Sequence, residues 1–223
     1  TVGGSSVSGV KVTLNGTKGN SSLPSPSTGT SNKGDFEFKG LSTDNSNVYK
    51  LSANYQGVDY ESDGFSFKAG ETVKPVDLVV YDATMDSKDI KINLSHMVVL
   101  SGKGSLQAQE YYALANSGDK SYTGSRLVQA LNKKETFTAS IPDSAKSIEY
   151  LTGLMECCVA IERGSLIDTM AISPGVKEIA FGYQFPYKSK EYTINKTFEY
   201  PVGNFNFVVN LFDKNGILTN ETN

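Results

Sequence analysis

The chain has 223 residues and a formal net charge of -3, with 21 Lys and Arg against 24 Asp and Glu. This length exceeds the commonest domain size of about 100 to 150 residues, so we expect two domains. The slightly acidic balance excludes the concentrated basic surface of nucleic-acid-binding proteins, and we predict no nucleic-acid partner. No stretch reaches the roughly 18 consecutive apolar residues of a membrane span, and residues 1–8 lack the pattern of a signal peptide. We therefore expect no membrane span within this chain.

The chain offers few side chains for histidine- or cysteine-based chemistry. It has one histidine, His96, and two cysteines, Cys157 and Cys158, too few for most zinc sites or for a conventional catalytic triad. His96 lies within the apolar segment 94–100, which favours a structural role. Segment 59–64 has oxygen ligands at alternate positions but lacks the distal glutamate of a calcium loop, which favours a polar hairpin. We predict a noncatalytic chain that holds no metal and no cofactor.

The first third of the chain alternates apolar and polar residues in short segments, which is typical of half-buried strands. In segment 10–14 the apolar residues Val10, Val12 and Leu14 fall on one face. A long segment at 15–31, rich in Gly, Ser, Pro and Thr and without periodicity, is predicted to be a surface loop. The other segments with a strand pattern are 35–41, 48–55, 64–68 and 76–81.

The alternation lapses at 81–88, which predicts a linker and domains at 1–83 and 84–223. Segment 106–116 contains several helix formers, but its apolar residues have a period of two, so we predict a strand. We predict an all-β chain of two sequential antiparallel β-sandwich domains, the second being the larger. The strand candidates of the second domain are 90–100, 106–115, 136–141, 147–161, 166–172, 176–185, 192–200 and 205–212.

Several segments of the first domain share an order with a known family. Gly-Val-Lys-Val-Thr-Leu at 9–14 is followed by Thr30 and by Gly-Asp-Phe-Glu-Phe-Lys-Gly-Leu at 34–41. Tyr-Lys-Leu at 49–51 comes next, and Ala-Gly-Glu-Thr at 69–72 precedes an apolar segment at 76–80. Residues 7–82 thus resemble the carboxypeptidase regulatory-like domain, whose fold is a transthyretin-like or starch-binding-like β-sandwich. The resemblance implies an appended module without catalytic residues, found in secreted or envelope proteins and associated with carbohydrate binding, adhesion or spacing.

The second domain is similar to uncharacterised envelope β-sandwich domains that follow such modules. The residues that carry this likeness are 153–154, 172–175, 181–186 and 200–201. Together the two resemblances imply an extracytoplasmic protein that is secreted, periplasmic or surface-anchored. We expect a noncatalytic binding or adhesion module whose partner is a glycan or an envelope protein. The alternative is a structural spacer or sensory ectodomain with no ligand of its own.

Aromatic side chains are the candidate ligand contacts in the first domain. A sugar ring presents an apolar C–H face that can stack on an aromatic ring. Tyr49, Tyr55 and Tyr60 lie near predicted strand ends or turns and are therefore the candidate glycan-binding residues. The alternative is that these tyrosines lie at the rim of the core with their hydroxyl groups in water.

The two cysteines are adjacent in the predicted strand 147–161. Successive side chains of a strand point to opposite faces, so Cys157 is expected in the core with Met155 and Val159. Cys158 then lies on the other face, as a candidate reactive thiol unless that face is also covered. A disulfide between neighbours would distort the strand, so we predict two free thiols.

Overall fold

A computed structural model describes residues 5–102, 104–187 and 192–210. These residues form strands and one short 3-10 helix (Glu156–Cys158), so the all-β prediction is confirmed. Within them, no helix has the length and apolarity needed to cross a membrane. Contacts along the chain divide it into two units, Thr1–Ala83 and Thr84–Asn223. Whether each unit folds independently stays a prediction.

The strands of unit 1 are β1 (Lys11–Lys18), β2 (Ser21–Ser22), β3 (Ser27–Gly29), β4 (Asn47–Tyr55) and β5 (Val58–Glu61). They form one antiparallel sheet in the order β2-β1-β4-β5, with β3 also paired to β1. Val12 and Leu14 of β1 pack against Leu51 of β4, and all three are buried.

Three predicted strands of this unit, 35–41, 64–68 and 76–81, are not strands. Only Phe65 forms an isolated bridge, with Tyr49. Their alternating apolar residues nevertheless pack against the sheet, because an extended segment can bury every second side chain without pairing its backbone. The predicted loop at 15–31 was also wrong, because β1 continues to Lys18, turns at Gly19 and is followed by β2 and β3.

A short strand, β6 (Ala83–Thr84), spans the position where the chain passes from unit 1 to unit 2. The other strands of unit 2 are β7 (Ile90–Ser101), β8 (Ser105–Asn116), β9 (Ser121–Tyr122), β10 (Leu127–Val128), β11 (Lys133–Lys134), β12 (Phe137–Ser140), β13 (Lys146–Thr152), β14 (Val159–Glu162), β15 (Ser165–Asp168), β16 (Gly175–Pro186) and β17 (Val202–Asn210). They include a five-stranded sheet in the order β13-β16-β8-β7-β17 and a three-stranded sheet in the order β12-β15-β14.

One continuous hydrophobic core joins the two larger sheets of unit 2 in a sandwich-like arrangement. Tyr112 of β8 belongs to this core, with its ring centroid 4.8 Å from that of Phe137 and 6.2 Å from that of Phe181. All three are fully buried. The strand prediction for 106–116 was therefore correct, and its inward row is Leu106, Ala108, Glu110, Tyr112 and Leu114.

Three expectations for unit 2 were wrong. The predicted strand 147–161 is broken after Thr152 and passes through the 3-10 helix before β14. Segment 192–200 is not a strand, although Ile194, Phe198 and Tyr200 pack on the core. The five-stranded sheet is not wholly antiparallel, because β17 runs parallel to β7. Two parallel strands cannot be joined by a tight hairpin, so a parallel pair is one that alternation along the chain does not predict.

Candidate functional site

The outward face of the five-stranded sheet in unit 2 presents a row of polar side chains. It arises because β8 buries every second residue, which leaves Gln107, Gln109 and Tyr111 on the opposite side. Gln107 and Gln109 are exposed, and Tyr111 is partly exposed. We call this surface, together with its cross-strand neighbours on β7, β16 and β17, the amide face.

Strand register brings complementary groups together on the amide face. Asn206 of β17 lies opposite His96 of β7, and His96 lies opposite Tyr111 of β8. Gln107 lies opposite Gln184 of β16, which is exposed. Side-chain amides and an imidazole both donate and accept hydrogen bonds, so these residues can bind hydroxyl groups in either role.

The one tyrosine of the amide face is held in place by a carboxylate. The Tyr111 hydroxyl group donates a hydrogen bond of 2.9 Å to Oε1 of Glu178. This bond raises the pKa of Tyr111, since ionising the phenol would place two negative charges together. The ring is thereby fixed while remaining partly exposed.

The inner side of β8 carries a buried charged network directly behind the amide face. Glu110 accepts hydrogen bonds from Tyr112 at 2.5 Å and from Tyr183 at 2.6 Å. Lys196 donates to the same carboxylate at 2.5 Å and to the backbone oxygen of Ser140 at 2.5 Å. Burial raises the pKa of both tyrosines and lowers the pKa of Lys196. Lys196 therefore ties the irregular segment 192–200 to two strands of the core.

A second buried ion pair connects the ends of β15 and β16. Nζ of Lys177 lies 2.6 Å from Oδ2 of Asp168, whose side chain is fully buried. Burial raises the pKa of Asp168, although the ammonium group opposes that shift. Lys177 also donates to the backbone oxygen of Met170, so both partners have several hydrogen bonds. The arrangement is that of a structural pair.

An open cleft of about 270 Å³ holds the remaining carboxylates of interest. Arg126 donates two hydrogen bonds to the buried carboxylate of Glu135, and Glu199 lines the same cleft. Burial and the neighbouring charge of Glu135 raise the pKa of Glu199. Because Arg126 already neutralises Glu135, the cleft offers one free carboxylate rather than an acid–base pair. Across the described residues, no cluster of three metal-ligating side chains occurs.

The structure does not bring the candidate glycan-binding tyrosines together as an exposed surface. Tyr49 and Tyr60 are only 4% and 7% exposed, and their hydroxyl groups donate to the backbone oxygens of Ser42 and Tyr81. Tyr55 is partly exposed and donates to Oδ1 of Asp82. The interpretation of Tyr49 and Tyr60 as exposed stacking platforms is therefore corrected, since both rings lie on the buried faces of β4 and β5.

The cysteines also differ from the prediction. Cys157 and Cys158 form a disulfide within the 3-10 helix, rather than two thiols in a strand. Cys158 is the buried member, at 5% exposure, and Cys157 is exposed. The turn replaces strand alternation at this point, which reverses the expected positions of the two sulfur atoms. Cys158 is thus not a free reactive thiol.

No family model matches the chain, and no curated protein matches it either. The likeness of residues 7–82 to the carboxypeptidase regulatory-like domain stays a prediction. The amide face was missed in the sequence, although its signal is readable there: the outward positions of the predicted strand 106–115 are Gln107, Gln109 and Tyr111. The sequence pattern does not predict which strands pair, and it is this pairing that places His96, Gln184 and Asn206 on the amide face.

Proposed function

We propose that this chain is a noncatalytic, extracytoplasmic binding module that binds neutral glycan chains on the amide face of unit 2. The observation that carries the proposal is the row of Asn206, His96 and Tyr111 across three neighbouring strands, with Gln109 and Gln107 beside it. This proposal moves the glycan site away from the tyrosines of unit 1.

The chemistry of the amide face suits a ligand rich in hydroxyl groups. Amide side chains donate and accept hydrogen bonds without charge, which matches neutral sugars better than it matches nucleic acids or anionic lipids. The partly exposed ring of Tyr111 offers an apolar contact for a sugar C–H face. The regular spacing of strands, about 4.8 Å, repeats these groups across an extended ligand.

The extracytoplasmic setting is supported by the cysteines. Disulfides persist in oxidising compartments and are rare in the cytosol. The described residues have no free cysteine, because Cys157 and Cys158 are joined. Secretion, a periplasmic location and surface anchoring are equally compatible with this observation.

A glycan array probed with the whole chain tests the proposal, followed by calorimetric titration of each hit. We expect neutral oligosaccharides to bind. Gln109→Ala and Tyr111→Ala should each weaken binding by roughly five- to thirtyfold, because each variant loses about 1 to 2 kcal/mol of binding free energy. Gln129→Ala is the matched control, since Gln129 is exposed in unit 2 but lies outside the amide face. Its affinity should equal that of the wild type.

Two results would contradict this assignment in different ways. Binding that survives Gln109→Ala and Tyr111→Ala unchanged would move the ligand to another surface. Absence of binding to every neutral glycan would instead favour the spacer or sensory role, in which the sheet only supports neighbouring parts of the protein. Circular dichroism of each variant must match the wild type, because β8 also supports the core.

A further inference from the structure

The Cys157–Cys158 disulfide is asymmetric in its surroundings. Cys157 is exposed, whereas Cys158 is buried beneath the surface of unit 2. The amide of Cys158 donates to the backbone oxygen of Met155 at 2.9 Å, and its own backbone oxygen accepts two hydrogen bonds from Thr169. The backbone of Cys158 is therefore held on both sides, and the sulfur of Cys157 is the one that a molecule in solution can reach.

A cation lies beside the buried sulfur atom. Nζ of Lys133 donates to Sγ of Cys158 at 3.2 Å. An ammonium group beside a sulfur atom stabilises its thiolate, and a stabilised thiolate is the better leaving group in disulfide exchange. The accessible sulfur and the stabilised leaving sulfur are thus different atoms of the same bond.

We propose that Cys157–Cys158 is a thiol–disulfide exchange site for small neutral thiols, with a fixed direction of attack. The thiolate of the small molecule attacks Sγ of Cys157, the bond between the two cysteine sulfurs breaks, and Cys158 leaves as a thiolate beside Lys133. The product of this step is a mixed disulfide on Cys157. A second thiolate then displaces Cys157, so that two small thiols are oxidised to their disulfide and the cysteine pair is reduced by two electrons.

This inference does not depend on glycan binding, because the amide face and the disulfide share no residues. At this site the chain can be modified reversibly, either by reduction of the disulfide or by formation of a mixed disulfide on Cys157. An oxidised small disulfide reverses the same steps and restores the bond. The exchange therefore links the state of this turn to the thiol content of the surrounding medium.

Brief treatment of the whole chain with 2-mercaptoethanol tests the direction of attack. The reaction is quenched in acid, remaining thiols are alkylated with a maleimide after denaturation, and tandem mass spectrometry locates both labels. We expect the mercaptoethanol adduct on Cys157 and the maleimide on Cys158. The reverse assignment, or an even distribution between the two sulfurs, would overturn the proposal, as would two free thiols in the untreated chain.

The role of the cation is tested by the rate of reduction with dithiothreitol in Lys133→Gln. Loss of a tenfold stabilisation of the thiolate slows exchange roughly threefold at a Brønsted coefficient of about 0.5. Lys134→Gln is the matched control, because Lys134 lies on the same strand and its ammonium group contacts Met85 instead. Equal rates in the two variants would refute the role of Lys133, and a threefold difference would support it.

Discussion

Removing the positive charge behind the amide face should destabilise unit 2 strongly. The side chains of Lys196 and Glu110 are only 7% and 1% exposed, and they lie 2.5 Å apart. Lys196→Met preserves most of the apolar length of lysine but leaves the Glu110 carboxylate buried without its cation. Breaking a buried ion pair in this way costs about 3 to 5 kcal/mol. For a unit of this size we expect the midpoint of thermal unfolding to fall by roughly 10 to 20 °C.

A compensating substitution separates the lost charge from the lost packing. In the double variant Glu110→Gln with Lys196→Met, no charge remains, and the glutamine amide can still bind Tyr112 and Tyr183. We expect the double variant to recover at least about 1.5 kcal/mol relative to Lys196→Met alone, as coupled neighbours do. The matched control is Lys88→Met, which removes an exposed ion pair of 3.5 Å in the same unit and should cost no more than about 1 kcal/mol.

Thermal melts measure the midpoint, and urea unfolding measures the free energy of unfolding. Both can be followed by tyrosine fluorescence, since the chain has 12 tyrosines and no tryptophan. Hydrogen exchange of peptides from β8 and β16 assigns the affected transition to unit 2. Two outcomes would refute the reasoning. In the first, Lys196→Met has the same midpoint as Lys88→Met, and in the second the double variant is less stable than Lys196→Met alone.

Three further predictions concern packing, backbone space and pH. Tyr49→Ala should lower the free energy of unfolding in urea by about 3 to 5 kcal/mol, because it empties a buried aromatic position. Tyr55→Ala should leave the midpoint nearly unchanged. Equal effects of the two substitutions would contradict the burial of Tyr49. Gly153→Ala should be less stable than Gly104→Ala by at least about 1 kcal/mol. Both glycines have a positive φ, but a Cβ at Gly153 would lie 1.9 Å from a backbone oxygen of β16, whereas a Cβ at Gly104 would meet nothing within 4 Å. Thermal melts that rank the two variants the other way would refute this. Burial raises the pKa of Asp168 in the folded chain above its ordinary value of 3.8. At a pH between the ordinary pKa and the raised pKa, the folded chain therefore binds more protons than the unfolded chain. The wild type should therefore lose stability relative to Asp168→Asn as the pH rises through that interval, and a gain in melts over the same range would show the opposite sign.

The sequence pattern correctly predicted those strands that pair with other strands of strongly alternating apolar and polar residues. Segments 90–100, 106–115 and 176–185 correspond to the three central strands of the large sheet, because each buries a complete alternating row. The same pattern failed at 192–200. Periodicity reports which side chains face a core, but it does not report whether the backbone finds a pairing strand.

The site predictions failed for two reasons. Strand alternation was not applied to Tyr49, and a turn takes the place of the predicted strand at the two cysteines. Tyr49 shares the alternating buried row of Leu51 and Ala53, so its burial was readable from period two. The positions of Cys157 and Cys158 were not readable, because a three-residue helix leaves no periodic signal. The pairing of Glu110 with Lys196 joins residues far apart in the sequence, and only the folded sheet brings them together.

The proposed binding surface and the buried charged network share strand β8, because its successive residues alternate between the two. Gln109 and Tyr111 point outward, while Glu110 and Tyr112 point inward. Glu110 accepts hydrogen bonds from Lys196 and Tyr112, and the ring of Tyr112 packs against that of Phe137. If the network serves to keep the amide face rigid, Lys196→Met should weaken glycan binding at a temperature well below its unfolding midpoint, although Lys196 does not touch that face. If the network only stabilises the core, the folded variant should bind as the wild type does. Calorimetric titration of Lys196→Met at low temperature, beside Lys88→Met, distinguishes these cases, and we expect weaker binding in Lys196→Met alone because loss of the buried cation loosens the strand that carries Gln109 and Tyr111.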